Sequence, residues 1–469
     1  PGPPPGPDPL LDPAVDPALD PADPAAFGPV MTIESIAITG NRSTAERVIR
    51  RALPIAVGDV VRASDPRLTQ ARWKVLALGF FREVKLELRR GTARGQVILV
   101  VTVLERGTVV LNRLWFGTSS TSSWWLGTDL EERNFAGTGI GVGAGFVYAP
   151  RNDVIGSRDQ WAGEVRIADA VLGASRWGAR AAFTVEHGSD PYRVAGDHST
   201  SPDDFRAFSY RRLGGRAAAT FSVTPLSRVV IGGRFEAVTA ELPTGATRSL
   251  PDGQSLPVRF DLRDGHSRIA TVSLAFDRDT RPNPALPREG SHLALAAEAG
   301  ASIIGGSYDY ATIVARYDRW WPIRDRQAIA LRLSGGVAAG DAPRFDRIYV
   351  GDVDRMVAPR ALGLALTTGT SAAILGTAAG EVDTGNIGGA AIVEWSLQLF
   401  HRKHRIYGGD IFVGAGLWGL GDTRGSGVAG RSTWQALPID VVADAGLRID
   451  TEIGIFELSL ANALGRVAQ

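Results

Sequence analysis

From Thr108 to its end this chain never places apolar residues at helical spacing, and instead alternates them with polar or glycine residues at every second position. Between Gly137 and Tyr148, glycines at 137, 139, 141, 143 and 145 alternate with Thr138, Ile140, Val142, Ala144, Phe146 and Tyr148. The pattern returns as Val272, Leu274, Phe276 against Thr271, Ser273, Asp277, and as Ile329, Leu331, Leu333 against Arg332 and Ser334. It returns again as Ala391, Val393, Trp395, Leu397 against Glu394, Ser396, Gln398, and as Ala443, Ala445, Leu447, Ile449 against Asp444, Arg448, Asp450. Period two means strands with two chemically different faces. The stretch Val97 to Leu104, apolar but for Thr102, is far below the ~20 residues of a membrane-spanning helix. A membrane barrel is compatible with that, because its strands never give a long hydropathy peak.

Alternation also fits a soluble antiparallel sandwich. Three details favour a transmembrane barrel. Many strands run to nine residues or more, which suits the ~9–11 of a tilted spanning strand. Tight turns such as Pro322–Arg326 alternate with long loops such as Pro191–Arg206 and Pro243–Val258. Aromatic residues gather at strand ends, as Trp124-Trp125 and Tyr317 with Trp320-Trp321, where an interfacial girdle places them. The stretch from Val110 to Gln469 divides into about sixteen strands at ~22 residues each.

Charge and composition exclude other classes. With 51 Lys+Arg against 50 Asp+Glu, the net charge of +1 argues against a nucleic-acid binder that works through a basic surface, although a balanced chain can still hold a local patch. With no Cys, there is no disulfide framework, thiol nucleophile or Cys-ligated metal. No Gly-x-Ser-x-Gly, Walker or His-Glu-x-x-His pattern is present. His401 and His404 are three apart, but the cations between them indicate a solvated turn rather than a metal site. No cofactor and no enzymatic chemistry are expected.

Residues 1–30 repeat Asp-Pro-Ala and read as an extended linker. The chain opens without a basic start and apolar core of a signal peptide, so such a peptide was either removed or never present. Residues 31–107 differ from both neighbours. A strand from Thr32 to Thr39, a turn at Gly40-Asn41 and a Ser43–Glu46 capping box predict a first helix to about Leu53. A cap near Ser64-Asp65-Pro66 predicts a second helix, ended by Gly79. Strands Phe80–Leu88 and Gln96–Leu104 complete a small β-α-α-β-β domain. The barrel then occupies 108–469.

These residues resemble a known family. Ile36-x-Ile38-x-Gly40-Asn41, Gly58-Asp59, Leu78-Gly79-Phe80-Phe81-Arg82-Glu83-Val84 and Val101-Thr102-Val103-Leu104-Glu105 are similar to a POTRA module. Residues 108–469 resemble the surface-antigen barrel of the BamA, TamA and Sam type outer-membrane assembly factors. The barrel resemblance rests on Glu131–Gly139 and above all on a run containing Asp277, Arg281, Pro284, Pro287 and Gly290. Gly388-Gly389 to Glu394, Phe412 to Gly416, and Ala445–Arg448 with Gly454–Phe456 support it.

The resemblance implies a sixteen-stranded bacterial outer-membrane barrel with a periplasmic POTRA module that captures unfolded outer-membrane clients along an exposed edge, here its second or third strand. It also implies a weak seam between first and last strands where a client strand pairs, and accessory periplasmic or lipoprotein subunits. The family's long inward loop carries an Arg that docks on acidic wall residues. Here Arg360, or else Arg355, takes that place, with Glu394 and Asp410 as its candidate partners. The strand that often holds Asp in Phe-x-Asp-x-Gly has Gly414 instead, and the closing strand lacks the usual terminal aromatic. Barrel lumens are polar in any case, so Glu394 could equally serve a purely structural pair. The expected function is assembly or translocation of other proteins. The alternatives are a passive pore or a dedicated export barrel whose partner is tethered by residues 1–30.

Overall fold

The computed structural model describes residues 29–117, 122–169, 172, 175–195, 201–224, 226–250, 252–284, 286–349, 360–366, 384–404, 406–424, 439–451 and 454–466. The chain divides into two compact units, Pro1–Arg106 with Ala136–Thr138, and Gly107–Phe135 with Gly139–Gln469.

In the first unit, β1 (Met31–Thr39), α1 (Glu46–Ala52), β2 (Val60–Val61), α2 (Pro66–Ala77), β3 (Phe81–Arg90) and β4 (Gln96–Glu105) come in order. The sheet order is β2-β1-β4-β3, with β1 and β4 parallel. Ile33, Val48, Ile49, Val75, Leu99 and Val101 close a core between helices and sheet. β4 is central, so its long partner β3 is an edge strand, whereas β2 covers only two residues of β1. The Asp65 cap forms, accepting from the Arg67 N–H at 2.8 Å.

The Ser43–Glu46 capping box does not form. The residue before α1 is Ala45, without a side-chain cap. The backbone N–H groups of Ser43 and Thr44 donate instead to the Glu105 carboxylate, Thr44 at 2.7 Å. Burial pulls this carboxyl upward, but the Thr44 and Ser43 donors outweigh it and hold Glu105 below the usual carboxylate range. Replacing Glu105 by alanine is expected to destabilise this unit by about 1–2 kcal/mol at neutral pH. A depressed carboxyl stabilises the fold above its unfolded pKa, and that contribution is lost as pH falls through the folded value. Denaturant titrations of both proteins check this: a gap as wide at pH 2 as at pH 7 would refute the assignment to the charged form.

The second unit is built on one large antiparallel sheet. Its strands are β5 (Val109–Gly117), β6 (Trp125–Glu132), β7 (Ile140–Ala149), β8 (Gln160–Asp169), β9 (Trp177–Arg193), β10 (Phe205–Thr224) and β11 (Ser227–Glu241). A small hairpin, β12 (Thr247–Ser249) with β13 (Ser255–Pro257), interrupts before β14 (Gly265–Asp279), β15 (Gly290–Gly300), β16 (Tyr310–Arg324) and β17 (Gln327–Gly340). The short pair β18 (Ile348–Tyr349) and β19 (Thr384–Gly385) precedes β20 (Ile387–His404), β21 (Ile406–Gly421), β22 (Ile439–Thr451) and β23 (Gly454–Arg466). Neighbours in the sheet are neighbours in the chain, from β5 round to β23.

The sheet holds fifteen strands among the described residues, one fewer than the sixteen expected. The average of ~22 residues per strand hides a wide spread: β10 alone has 20 residues and a connection from 341 to 386 separates β17 from β20. The expected loop at Pro191–Arg206 is also shorter, since β9 runs through Arg193 and β10 starts at Phe205. His401 and His404 end β20 rather than lying between strands. The barrel is nearly closed, yet no ladder joins β23 to β5 among the described residues. The odd number of strands among the described residues leaves those two edges running in the same direction.

The alternation sorts faces as read. Phe146, Val272, Leu274, Val393 and Val413 are exposed on the outer wall, while Glu394, Asp410, Asp444 and Arg448 are buried inside. The aromatic pairs split: Trp124 and Trp321 are exposed, and Trp125 and Trp320 are buried.

Candidate functional site

The lumen is filled by charge. On the first strands Arg166 donates to Asp129 at 2.7 Å and approaches Glu131 and Glu164 at 3.5 and 3.7 Å. Glu164 is shared with Arg216 at 2.7 Å. Further round, Arg212 bridges Glu186 at 2.8 Å and Glu236 at 2.9 Å, and Arg234 joins Glu236 at 3.3 Å. A buried carboxylate is tolerated only with such partners. The glycine face of β7 makes room for them: a Cβ on Gly143 would lie 2.6 Å from Arg166 Nε.

Into this wall projects a turn from the connection between β17 and β20. Ala361 and Leu364 pair across it, with Leu362 and Gly363 at φ 49° and 99°. Leu364 and Leu366 pack with Trp115, Trp125 and Val147. A Cβ on Gly363 would sit 2.8 Å from Glu186 Oε2, and one on Gly145 3.2 Å from Leu362. The inward turn therefore seats on the wall of β5–β9. Beside it a cavity of about 640 Å³ is lined by Asp129, Glu164, Arg166, Arg212 and Arg360 among others.

Arg360 does not reach either expected partner. Its Nη1 donates to the Phe345 carbonyl at 3.2 Å and its guanidinium lies 4.5 Å over the Tyr349 ring. Glu394, 1% exposed, is instead held by both Arg448 nitrogens at 2.7 Å and by Arg332 at 2.7 Å. Arg448 also binds Glu457 at 2.7 Å and covers the Phe412 ring at 3.7 Å. Asp410 stands opposite Arg448 in the β21–β22 register. Glu394 is taken from both sides by its own neighbours, Arg332 on β17 and Arg448 on β22. Arg355 lies outside the described residues.

Gly414 has a definite use. A Cβ there would lie 1.9 Å from Asp444 Oδ1, directly opposite in the ladder. A carboxylate thus occupies this place from the neighbouring strand, where the resemblance leads one to expect Asp at 414.

The Asp277–Gly290 run builds the connection between β14 and β15. Asp277 binds His292 at 2.8 Å and Arg228 at 3.1 Å, and Arg281 folds onto Asp279 at 2.6 Å and stacks 5.2 Å from Trp320. Pro284 is exposed, Pro287 is half-buried, and Gly290, at φ 92°, has no room for a Cβ beside the Thr280 carbonyl at 2.7 Å. These residues shape a turn.

The sequence reading missed the segment Arg344-Phe345-Asp346-Arg347. Arg344 Nε donates to Asp190 at 3.0 Å, Asp346 accepts from Arg234 at 2.7 Å and from Tyr310, and Arg347 reaches Asp261 and Asp422 at 2.6 Å each. Phe345 lies between Tyr210 and Arg212, at 4.8 and 4.2 Å. Charges of alternating sign around an aromatic, just past the end of a strand, were the available signal.

Comparison with known proteins agrees with this architecture. Residues 134–469 match the Omp85 superfamily domain, and residues 31–106 match a POTRA, the surface antigen variable number repeat. Over 333 residues the chain is 24% identical to the outer membrane protein assembly factor BamA of Nitratidesulfovibrio vulgaris, covering 69% of this chain and 37% of that protein's length. The solved structure of Haemophilus ducreyi BamA lacking POTRA domains 1–3 superposes with a TM-score of 0.59 at 14% identity, covering 93% of this chain and 82% of the other. CdiB from Escherichia coli gives 0.59 at 12% identity, covering 93% and 73%. A charged lumen with an inward turn, a nearly closed antiparallel barrel and one preceding α+β module coincide with matches that take in most of the chain, and the protein belongs to the Omp85 superfamily.

Proposed function

We propose that this protein assembles or translocates other proteins at the bacterial outer membrane, by templating client strands at the seam between β5 and β23, with its POTRA unit in the periplasm. The observation that carries this reading is the seam. Each of the other strand neighbours shares a ladder, while these two edges share none among the described residues. Unpaired backbone groups in lipid cost several kcal/mol each, so a spanning strand enters most cheaply on an existing edge.

A second free edge supports the reading. Among the described residues β3 pairs only with β4, which leaves its outer side open to an extended client segment. Clients are unfolded outer-membrane proteins, the bilayer is the solvent, and accessory periplasmic or lipoprotein subunits belong to the same reading. The chain acts without a cofactor and is not an enzyme.

The test is folding of an unfolded barrel client into liposomes with and without this protein. A cysteine pair across β5 and β23 gives a clean cross-link, because the chain has no cysteine of its own. Accelerated client folding that oxidation abolishes and a reductant restores is the expected result. Vesicles that leak small ions while the client folds no faster would hand the protein to the passive-pore reading.

A further inference from the structure

We propose that the outer wall from β8 to β14 binds a phosphorylated glycolipid of the outer leaflet, with Arg211 and Arg268 as its phosphate ligands. Such a site requires the orientation proposed above, with the POTRA unit in the periplasm, and does not require client templating at the seam.

The pairing registers line up a polar row on the lipid-facing side. Trp161 on β8 stands opposite His187 on β9, His187 opposite Arg211 on β10, Arg211 opposite Thr239 on β11, and Thr239 opposite His266 on β14. Their strand neighbours Tyr210, Val238 and Ser267 are buried on the inner face, so the row points outward. In the adjacent row, Val185, Leu213 and Ala237 lead to Arg268. Arg211 and Arg268 are exposed, and neither has a carboxylate partner among the described residues. The carboxylates at this level are engaged elsewhere: Glu241 by Arg158 at 2.6 Å, Asp159 by the Arg151 N–H at 2.8 Å and Asp264 by the Leu242 N–H at 2.9 Å.

Depth places this row at the rim of the apolar belt. Outward positions of β9 run from Val185 through Phe183 to Trp177, within the ~9–11 residues of a tilted spanning strand. β5 follows the POTRA unit in the chain, and β9, four neighbours on in an antiparallel sheet, runs the same way. Trp177 therefore lies toward the periplasm and His187 toward the cell surface.

The loop after β15 adds an apolar floor. Ala301–Ser307 folds against the outer wall: the Ser307 N–H donates to the Arg268 carbonyl at 2.7 Å, the Arg268 N–H donates to Ser307 Oγ at 2.9 Å, and a Cβ on Gly305 would lie 4.0 Å from the Phe235 ring. Ile303 on this loop is 92% exposed and Phe235 51%. Water penalises an isoleucine so bare, and acyl chains do not.

Cations thus stand directly above apolar groups, and an amphiphile with an anionic head meets both at once. Two strand spacings and two residues part the Arg211 and Arg268 Cα atoms, about 12 Å. That span suits a headgroup of two sugar rings with a phosphate at each end, each phosphate taken by one guanidinium fork. A glycerophospholipid, with a single phosphate on a small head, engages only one of the two arginines.

The test uses the full protein in detergent micelles, titrated with diphosphorylated lipid A, with lipid A stripped of both phosphates, and with phosphatidylglycerol, bound lipid being counted by native mass spectrometry. Arg211→Ala and Arg268→Ala are each expected to weaken lipid A binding about tenfold, and both together about a hundredfold. Ile303→Ser is expected to weaken it about threefold without changing the preference for phosphate. Arg278→Ala removes the same charge from the exposed opposite rim of β14 and is expected to change nothing. Heat-modifiable mobility on gels confirms that each barrel is folded. Client folding in phosphatidylcholine liposomes, which hold none of these lipids, is expected at the wild-type rate for every variant, so a failed client assay counts against the seam and leaves this site standing. Equal binding of phosphatidylglycerol, retention of the stripped lipid, or a loss from Arg278→Ala as large as that from Arg211→Ala overturns the proposal.

Discussion

Glu394→Ala is expected to cost the barrel about 3–5 kcal/mol, the range for removing one partner of a buried ion pair. Glu394 is 1% exposed, and its two oxygens satisfy Arg448 from β22 and Arg332 from β17. Arg448 would keep Glu457 and the Phe412 ring, so much of the penalty falls on Arg332 and on the desolvated space between them. The triad spans four consecutive strands of the sheet, β17, β20, β21 and β22, so the loss is felt across that stretch rather than at one hairpin. Replacing Glu394, Arg448 and Arg332 together by apolar residues of similar volume is expected to cost much less, since no charge is left stranded. Urea unfolding of the detergent-solubilised protein measures both. A loss below about 1 kcal/mol for Glu394→Ala would mean the lumen screens these charges as bulk water does.

The triad also shows what a sequence can carry. Period-two alternation assigned Glu394 to the inner face, because in a strand that assignment needs only parity. Its partner was invisible for the same reason: Arg448 is 54 residues away and reaches Glu394 across the intervening strand β21, a relation fixed by register and by the small Gly414. The expectation of sixteen strands, against fifteen among the described residues, averaged over lengths that range from 8 residues in β6 to 20 in β10.

Local signals fared by how local their physics is. The Asp65 cap, made within three residues, forms as read. The Ser43–Glu46 box does not, since Glu105 arrives from the end of β4 and takes both N–H groups first. The resemblance pointed to one arginine of the inward connection as its anchor. Arg344, Phe345, Asp346 and Arg347 at its base contact the wall directly, and no motif in the sequence marked them.

Gly40→Ala is expected to be the most damaging small change in the POTRA unit, costing roughly 3–5 kcal/mol of a total that is about 4–11 kcal/mol for a domain of this size. Gly40 sits at φ 89°, which costs an L-residue about 1–2 kcal/mol by itself. Its Cβ would also fall 2.0 Å from the Val103 carbonyl oxygen, a backbone atom of the central strand β4 that cannot swing aside. To relieve the contact, β1 must part from β4 at the end of their parallel ladder, where Thr39 faces Thr102. Gly58 provides the control, with the same φ of 89° and nothing within 4 Å of its Cβ. Gly58→Ala therefore reports the dihedral cost alone, about 1–2 kcal/mol, and the difference between the two variants is the clash. Limited proteolysis of the full chain separates the units: in Gly40→Ala the POTRA unit is cut while the barrel stays resistant, and, on the proposal that β3 receives clients, client folding in liposomes falls. Equal protease sensitivity in the two variants would mean that β1 yields at little cost. Loss of the POTRA unit with undiminished client folding would assign the templating to the barrel seam alone.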